Sequence, residues 1–138
     1  MEILKVKTER RKIGDLGERA AARFLFFRGY RILSRSSIAA GKEIDIVARG
    51  HGHLVFCEVK TRTIGTDSVF LPRPASAVTP RKQQGIISAA RVYASEHRTR
   101  GAHMRFDCIE VLVDGSGKKP RVKKINHLKN ALNYDTAF

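Results

Sequence analysis

Two apolar runs stand almost back to back in this chain, and each carries charge where burial penalises it most. "EIDIVARG" (43–50) and "HLVFCEVKTR" (53–62) have the Val, Ile, Phe and Cys content of core strands. His51, flanked by two glycines, gives them a connection of hairpin length. Asp45 interrupts the first run, and Glu58 and Lys60 end the second. Strand interiors tolerate such groups only when they pair or hold a cation.

Side chains alternate along a strand, so Leu54, Phe56, Glu58 and Lys60 share one face and Val55, Cys57 and Val59 the other. Polarity enters only at the far end of this strand, as it does where a sheet opens into a cleft. In the preceding strand Glu43, Asp45 and Val47 are expected to share a face. An antiparallel hairpin then puts Asp45 opposite Glu58, at cross-strand contact distance. Two carboxylates so placed repel unless a cation sits between them. Their hard oxygens suit Mg²⁺ or Mn²⁺. The alternative is a structural ion cluster in which Lys60 neutralises the acids.

The rest of the chain frames this pair. Residues 1–8 read as a loose basic tail and 9–28 as a helix, with Ile13, Leu16, Gly17, Ala20, Ala21, Phe24 and Phe27 at helical spacing. Gly29 is a C-cap candidate. Glu18 borders the apolar stripe, and Gly14 and Gly17 remove side chains where this helix would approach the sheet. Glu18 is thereby either delivered to the same cleft or left on a solvated helix face. A strand is expected at 30–34, a turn at "SSIAAGK", and an irregular stretch at 63–77 that holds Pro72 and Pro74. Thr79 and Pro80 start a second helix that runs to about His97, with Gly85 inside it. A fourth strand follows at 104–114 and a short edge strand at 120–125, then one helical turn and disorder. The order α-β-β-β-α-β predicts an α/β fold with a mixed central sheet flanked by helices. The length suits one domain.

A formal charge of +14, from 27 Lys and Arg against 13 Asp and Glu, points to a polyanionic partner, nucleic acid before membrane. No run approaches the ~20 apolar residues of a membrane span. No zinc, P-loop or dinucleotide-binding pattern is present. Cys57 and Cys108 inside apolar runs fit a reducing cytoplasm. Asp107 reads as structural, pairing with Arg105; Tyr93 and Ile86 read as core, and the histidines carry no assigned role.

The segments "GDLGERAAARFL", "GKEIDIVAR", "LVFCEVKTR", "AVTPRKQQGIISAARVY" and "RFDCIEV" resemble, in order, the blocks of the bacterial YraN-like proteins. That family belongs to the restriction-endonuclease-like PD-(D/E)XK superfamily and is similar to archaeal Holliday junction resolvases. The resemblance covers about residues 9–113 and leaves 114–138 as a basic extension. It implies a metal-dependent endonuclease acting on DNA rather than RNA, with branched DNA as one substrate class and a homodimer as one assembly. It implies that Asp45 and Glu58 are the metal-binding acids, joined by the backbone of Val59, that Lys60 is the active-site lysine, and that Glu18 is the helix-borne glutamate. The implied cofactor is Mg²⁺ or Mn²⁺. Arg62, Arg73, Arg81 and Lys82 are the phosphate-contact candidates. The chain departs from the pattern at Ile44, where a proline often precedes the first acid, and at Gly85, where many relatives carry a basic residue. A nucleic-acid-binding module without turnover is the competing expectation.

Overall fold

Helix α1 (Glu2–Phe27) is followed by β1 (Arg31–Ala39), β2 (Lys42–Gly50), β3 (His53–Ile64), α2 (Pro80–Glu96), β4 (His103–Asp114) and β5 (Arg121–Leu128). The structure, a computed structural model, describes residues 2–64, 80–97 and 103–131. The strands form one sheet in chain order. Neighbours run antiparallel except β3 and β4, which are parallel. A parallel pair requires a crossover, and α2 lies within it. On one face, Leu54, Phe56 and Phe106 pack with Ile87, Ala90 and Tyr93 of α2. On the other, Ala21 and Leu25 of α1 pack with Ile46, Val55, Cys57 and Ile109. A mixed sheet between two helices, in this order, is the restriction-endonuclease-like architecture expected from the sequence.

Several boundaries differ from expectation, each for a physical reason. Helix α1 begins at Glu2, so residues 2–8 are helical rather than a loose tail. Residues 2–12 hold neither Gly nor Pro and are rich in Glu, Leu, Lys and Arg, good helix formers that offer no stop. Phe27 is 76% exposed and leaves the core stripe, which steps instead through Gly17, Ala21 and Leu25. The helix closes as the sequence predicts. Gly29 adopts φ +90°, its N–H donates to Phe26 O (3.1 Å), and Tyr30 N–H donates to Leu25 O (3.0 Å), which is a Schellman cap.

Strand β1 continues through the expected turn to Ala39, because "SSIA" pairs with β2 and the reversal needs only Ala40 and Gly41. Both adopt positive φ, as a two-residue hairpin loop of this twist requires. Strands β3 and β5 outrun their expected ends because β4 offers partners as far as Ile64↔Asp114 and Cys108↔Leu128. The expected helical turn after residue 125 is therefore strand as far as Leu128. The Thr79 cap, Pro72, Arg73 and Pro74, and the tail from 132 lie outside the described residues.

The expected close approach of α1 rests on Gly17 alone. A Cβ at Gly17 would run into the Thr61 side chain, with Thr61 Cβ at 2.9 Å, whereas one at Gly14 would meet nothing within 4 Å. Gly17→Ala should therefore destabilise the protein by about 1–3 kcal/mol through overpacking, despite alanine's better helix propensity. Denaturant midpoints measure this, and adding Thr61→Ala should recover part of the loss.

Candidate functional site

Asp45 is the hinge of the site. The β2–β3 ladder runs from Gly50↔His53 to Ile46↔Cys57 and stops there. One residue further, Asp45 Oδ2 accepts a 2.8 Å hydrogen bond from Val59 N–H, so a side chain takes the place of a ladder carbonyl. Alternation fails at the same point. Ile44 and Val47 pack in the same cluster beside α2, and Ile46 packs in the opposite one. The expectation that Asp45 stands in ladder register with Glu58, on the face of Val47, is corrected accordingly: β2 peels away and rotates where its carboxylate captures the amide of β3.

This break opens hollows on both sides of the sheet. A cleft of about 720 Å³ on the α1 side is lined by Arg10, Arg11, Glu18, Glu43, Asp45, Val59 and Thr61, among others. A smaller cavity of about 150 Å³ is lined by Glu43, Asp45, Glu58 and mostly apolar neighbours, including Phe56 and Ile86. Glu18 lines the α1-side cleft with Asp45, while Glu58 borders the smaller cavity; Asp45 borders both, so the single cleft expected to hold Glu18 and Glu58 together is divided in two. Glu58 Oε1 lies 3.0 Å from Lys60 Nζ, both side chains about 30% exposed. Among the described residues no three His, Cys, Asp or Glu side chains gather closely enough to hold a metal ion in this arrangement.

Electrostatics single out Asp45. Burial drives its carboxyl up from the usual 3.8 to about 6; the Val59 hydrogen bond opposes this, and the anionic Glu18, Glu58 and Glu43 reinforce it. A desolvated carboxylate ringed by like charge is what a bound divalent cation would relieve. The donor set, carboxylate oxygens throughout, suits Mg²⁺ or Mn²⁺.

Asp107 is the opposite case. Its side chain is fully buried yet accepts from Arg105 Nε and Nη2 (2.8–3.2 Å), His127 Nε2 (2.7 Å) and Asn130 N–H (2.8 Å). Desolvation would raise its pKa, but these donors outweigh it and hold the group below the usual carboxylate range. Tyr30 Oη lies 2.7 Å from Arg105 Nη2. The Arg105 pairing was legible in the sequence. Tyr30, His127 and Asn130 were not, since 20 or more residues separate each from Asp107. His127 therefore has a structural role that sequence reading did not assign. Burial also lifts both thiols, Cys57 most strongly and Cys108 to about 11, which leaves them unreactive.

The cationic candidates are distributed unevenly. Arg81 and Lys82 are exposed on the first turn of α2, Arg62 is half-buried on β3, and Arg73 lies outside the described residues. Sequence reading missed Arg10 and Arg11, although Arg11 stands seven residues before Glu18, on the same helix face. It also missed what steadies Glu18. Ser36, at φ +53°, donates its hydroxyl to Glu18 Oε1 (2.8 Å), and Arg35 Nε lies 3.8 Å from that oxygen. Above Gly85, the Lys42 ammonium from β2 passes 3.2 Å from the point a Cβ would occupy and donates to Lys82 O (3.3 Å). Ile44, just before the first acid, is buried against α2.

Comparison with known proteins agrees with the sequence blocks. The model of the uncharacterised protein family UPF0102 matches residues 17–111. A UPF0102 protein of Caldanaerobacter subterraneus subsp. tengcongensis is 38% identical over 125 residues, covering 91% of this chain and 98% of the relative. Another from Trichlorobacter lovleyi is 41% identical, covering 91% and 92%. A third, from Chlorobaculum parvum, is 43% identical, covering 86% and 90%. The matched stretch runs from Gly17, where α1 meets the sheet, through Asp45, Glu58 and Lys60 to Val111 of β4, and the chain belongs to the UPF0102 family.

Proposed function

We propose that this chain hydrolyses phosphodiester bonds in DNA with Mg²⁺ or Mn²⁺ as cofactor. The observation that carries the reading is Asp45, desolvated at the break between β2 and β3 and crowded by Glu18, Glu58 and Glu43. Asp45 and Glu58, with the backbone of Val59, would hold the ion, and Glu18 would face it from α1. When bound, the ion supplies Lewis acidity and a more acidic water. Lys60 contributes a positive charge beside Glu58, suited to orienting the nucleophile or offsetting charge on the phosphate. Arg10 and Arg11 in the cleft, with Arg62, Arg81 and Lys82, offer phosphate contacts that carry no sequence information. The net charge of +14 favours a polyanion. DNA over RNA, and branched DNA as a substrate class, follow from the resolvase-like resemblance. Two buried free thiols suit a cytoplasmic setting, and among the described residues no helix is long and apolar enough to cross a membrane.

A second reading, a module that binds nucleic acid without cutting it, draws on the Glu58–Lys60 ion pair, which occupies an oxygen the ion would need. Cleavage assays with Mg²⁺ on duplex, flap, four-way-junction and single-stranded DNA, with RNA counterparts, separate the two. The nuclease reading expects metal-dependent cutting that Glu58→Ala or Lys60→Ala removes while salt-sensitive binding persists. Binding without cutting on every substrate, in wild type and variants alike, would establish the module instead.

A further inference from the structure

We propose that Glu110 is a positioning residue for Lys60, receiving its ammonium when Glu58 turns to a metal ion; this rests on the nuclease reading above. Lys60 and Glu110 are direct partners in the parallel β3–β4 ladder, so their side chains leave the same face of the sheet from adjacent strands. Glu110 is only 6% exposed, and its Oε1 is buried with no hydrogen-bond partner among the described residues. An acceptor left in that state is penalised heavily unless some other arrangement of the site supplies its donor. Lys60 is the nearest cation by register, and its ammonium is held 3.0 Å from Glu58 Oε1, one alternation back along β3.

The two carboxylates thus flank one flexible lysine. Glu58 cannot present that oxygen to a cation while the ammonium holds it. Rotation about the four-carbon stem of Lys60 is enough to exchange partners, with no backbone movement. In the exchanged arrangement Glu58 is free, Glu110 is satisfied, and Lys60 has a fixed place beside the carboxylates rather than swinging into solvent. Arg62, one alternation further on, has a buried Nε that also lacks a partner among the described residues, so it is the competing donor for Glu110.

The full-length protein, titrated with MgCl₂ and followed by NMR of ¹³C-labelled glutamate carboxyls and ¹⁵N-labelled lysine ammonium groups, tests this. Mg²⁺ should shift the carboxyl signals of both Glu58 and Glu110, while the Lys60 ammonium stays protected from exchange. In Glu110→Gln the Lys60 ammonium should lose that protection on Mg²⁺ addition. Cleavage kcat should then fall by roughly 10–100-fold, with KM nearly unchanged. Glu110→Asp should restore part of the loss. A Mg²⁺ response at Glu58 with no change at Glu110 would overturn the proposal in the wild type, whether or not the variants fold. So would Glu110→Gln kinetics equal to wild type. A signal at Glu110 that persists in Lys60→Met and disappears in Arg62→Met would assign the carboxylate to Arg62 instead. Absence of any Mg²⁺ response in the wild type would overturn the nuclease reading itself, and this inference with it.

Discussion

Asp45→Asn is expected to abolish metal-dependent cleavage and, at the same time, to stabilise the fold at pH 8. The loss of activity should be roughly 10³-fold or more, since a metal ligand is asked for several kcal/mol of transition-state stabilisation. The gain in stability follows from the carboxyl's raised pKa. The folded protein holds this proton up to about pH 6, while the unfolded chain releases it near 3.8, so stability falls as pH rises through that window. The displacement corresponds to an upper figure of about 3 kcal/mol. Asparagine carries no charge and keeps an oxygen for the Val59 N–H. The variant should therefore melt higher than wild type at pH 8, by an amount on the order of 1–3 kcal/mol, and the gap should close below about pH 4. Mg²⁺ should raise the wild-type melting temperature at pH 8 and leave Asp45→Asn unmoved. Denaturant titrations at pH 4, 6 and 8, with and without Mg²⁺, read all of this. A variant less stable than wild type at pH 8 would show that Asp45 is a satisfied structural group.

The second large effect is expected at Asp107, with the opposite sign. Asp107→Asn should destabilise the protein by about 3–5 kcal/mol, because it strands the Arg105 guanidinium, only 13% exposed, and turns an amide donor toward existing donors. Against a typical total of about 5–15 kcal/mol, that brings the fold close to its limit. The linkage also runs the other way. A carboxyl held below its usual pKa contributes stability above the unfolded value, and that contribution is lost as pH falls through the folded one. Wild type and Asp107→Asn should thus converge in acid, where wild type and Asp45→Asn also converge, but from the other side. Replacing Arg105 by Met and Asp107 by Leu together should recover much of the loss, since a buried pair replaced as a unit leaves no orphaned charge. A single Asp107→Asn variant as stable as wild type would show that the four donors around this carboxylate add nothing.

These two aspartates show where sequence reading succeeds and where it stops. Both interrupt apolar strands, and along the chain they look alike. The Arg105–Asp107 pair was legible because residues two apart on a strand share a face, which is local geometry. The helix cap at Gly29, the Gly17 contact and the order of elements were legible for the same reason: propensity, periodicity and turn chemistry act over a few residues. Asp45 opposite Glu58 was an extrapolation of ladder register. It failed at the one residue whose side chain displaced the ladder, because capture of the Val59 amide is a competition between side chain and backbone that no periodicity encodes.

By itself, then, the amino-acid order determined the α/β architecture, the family, and the acids and the lysine to examine, since these depend on short-range patterns and hydrophobic alternation. Only the tertiary structure decided which carboxylate is satisfied and which is crowded. Ser36 reaches Glu18 across 18 residues, His127 reaches Asp107 across 20, and the β3–β4 ladder sets Lys60 beside Glu110 across the crossover. The charge state of a buried group depends on whichever donors and anions folding brings around it, and those partners come from segments that share no local sequence signal.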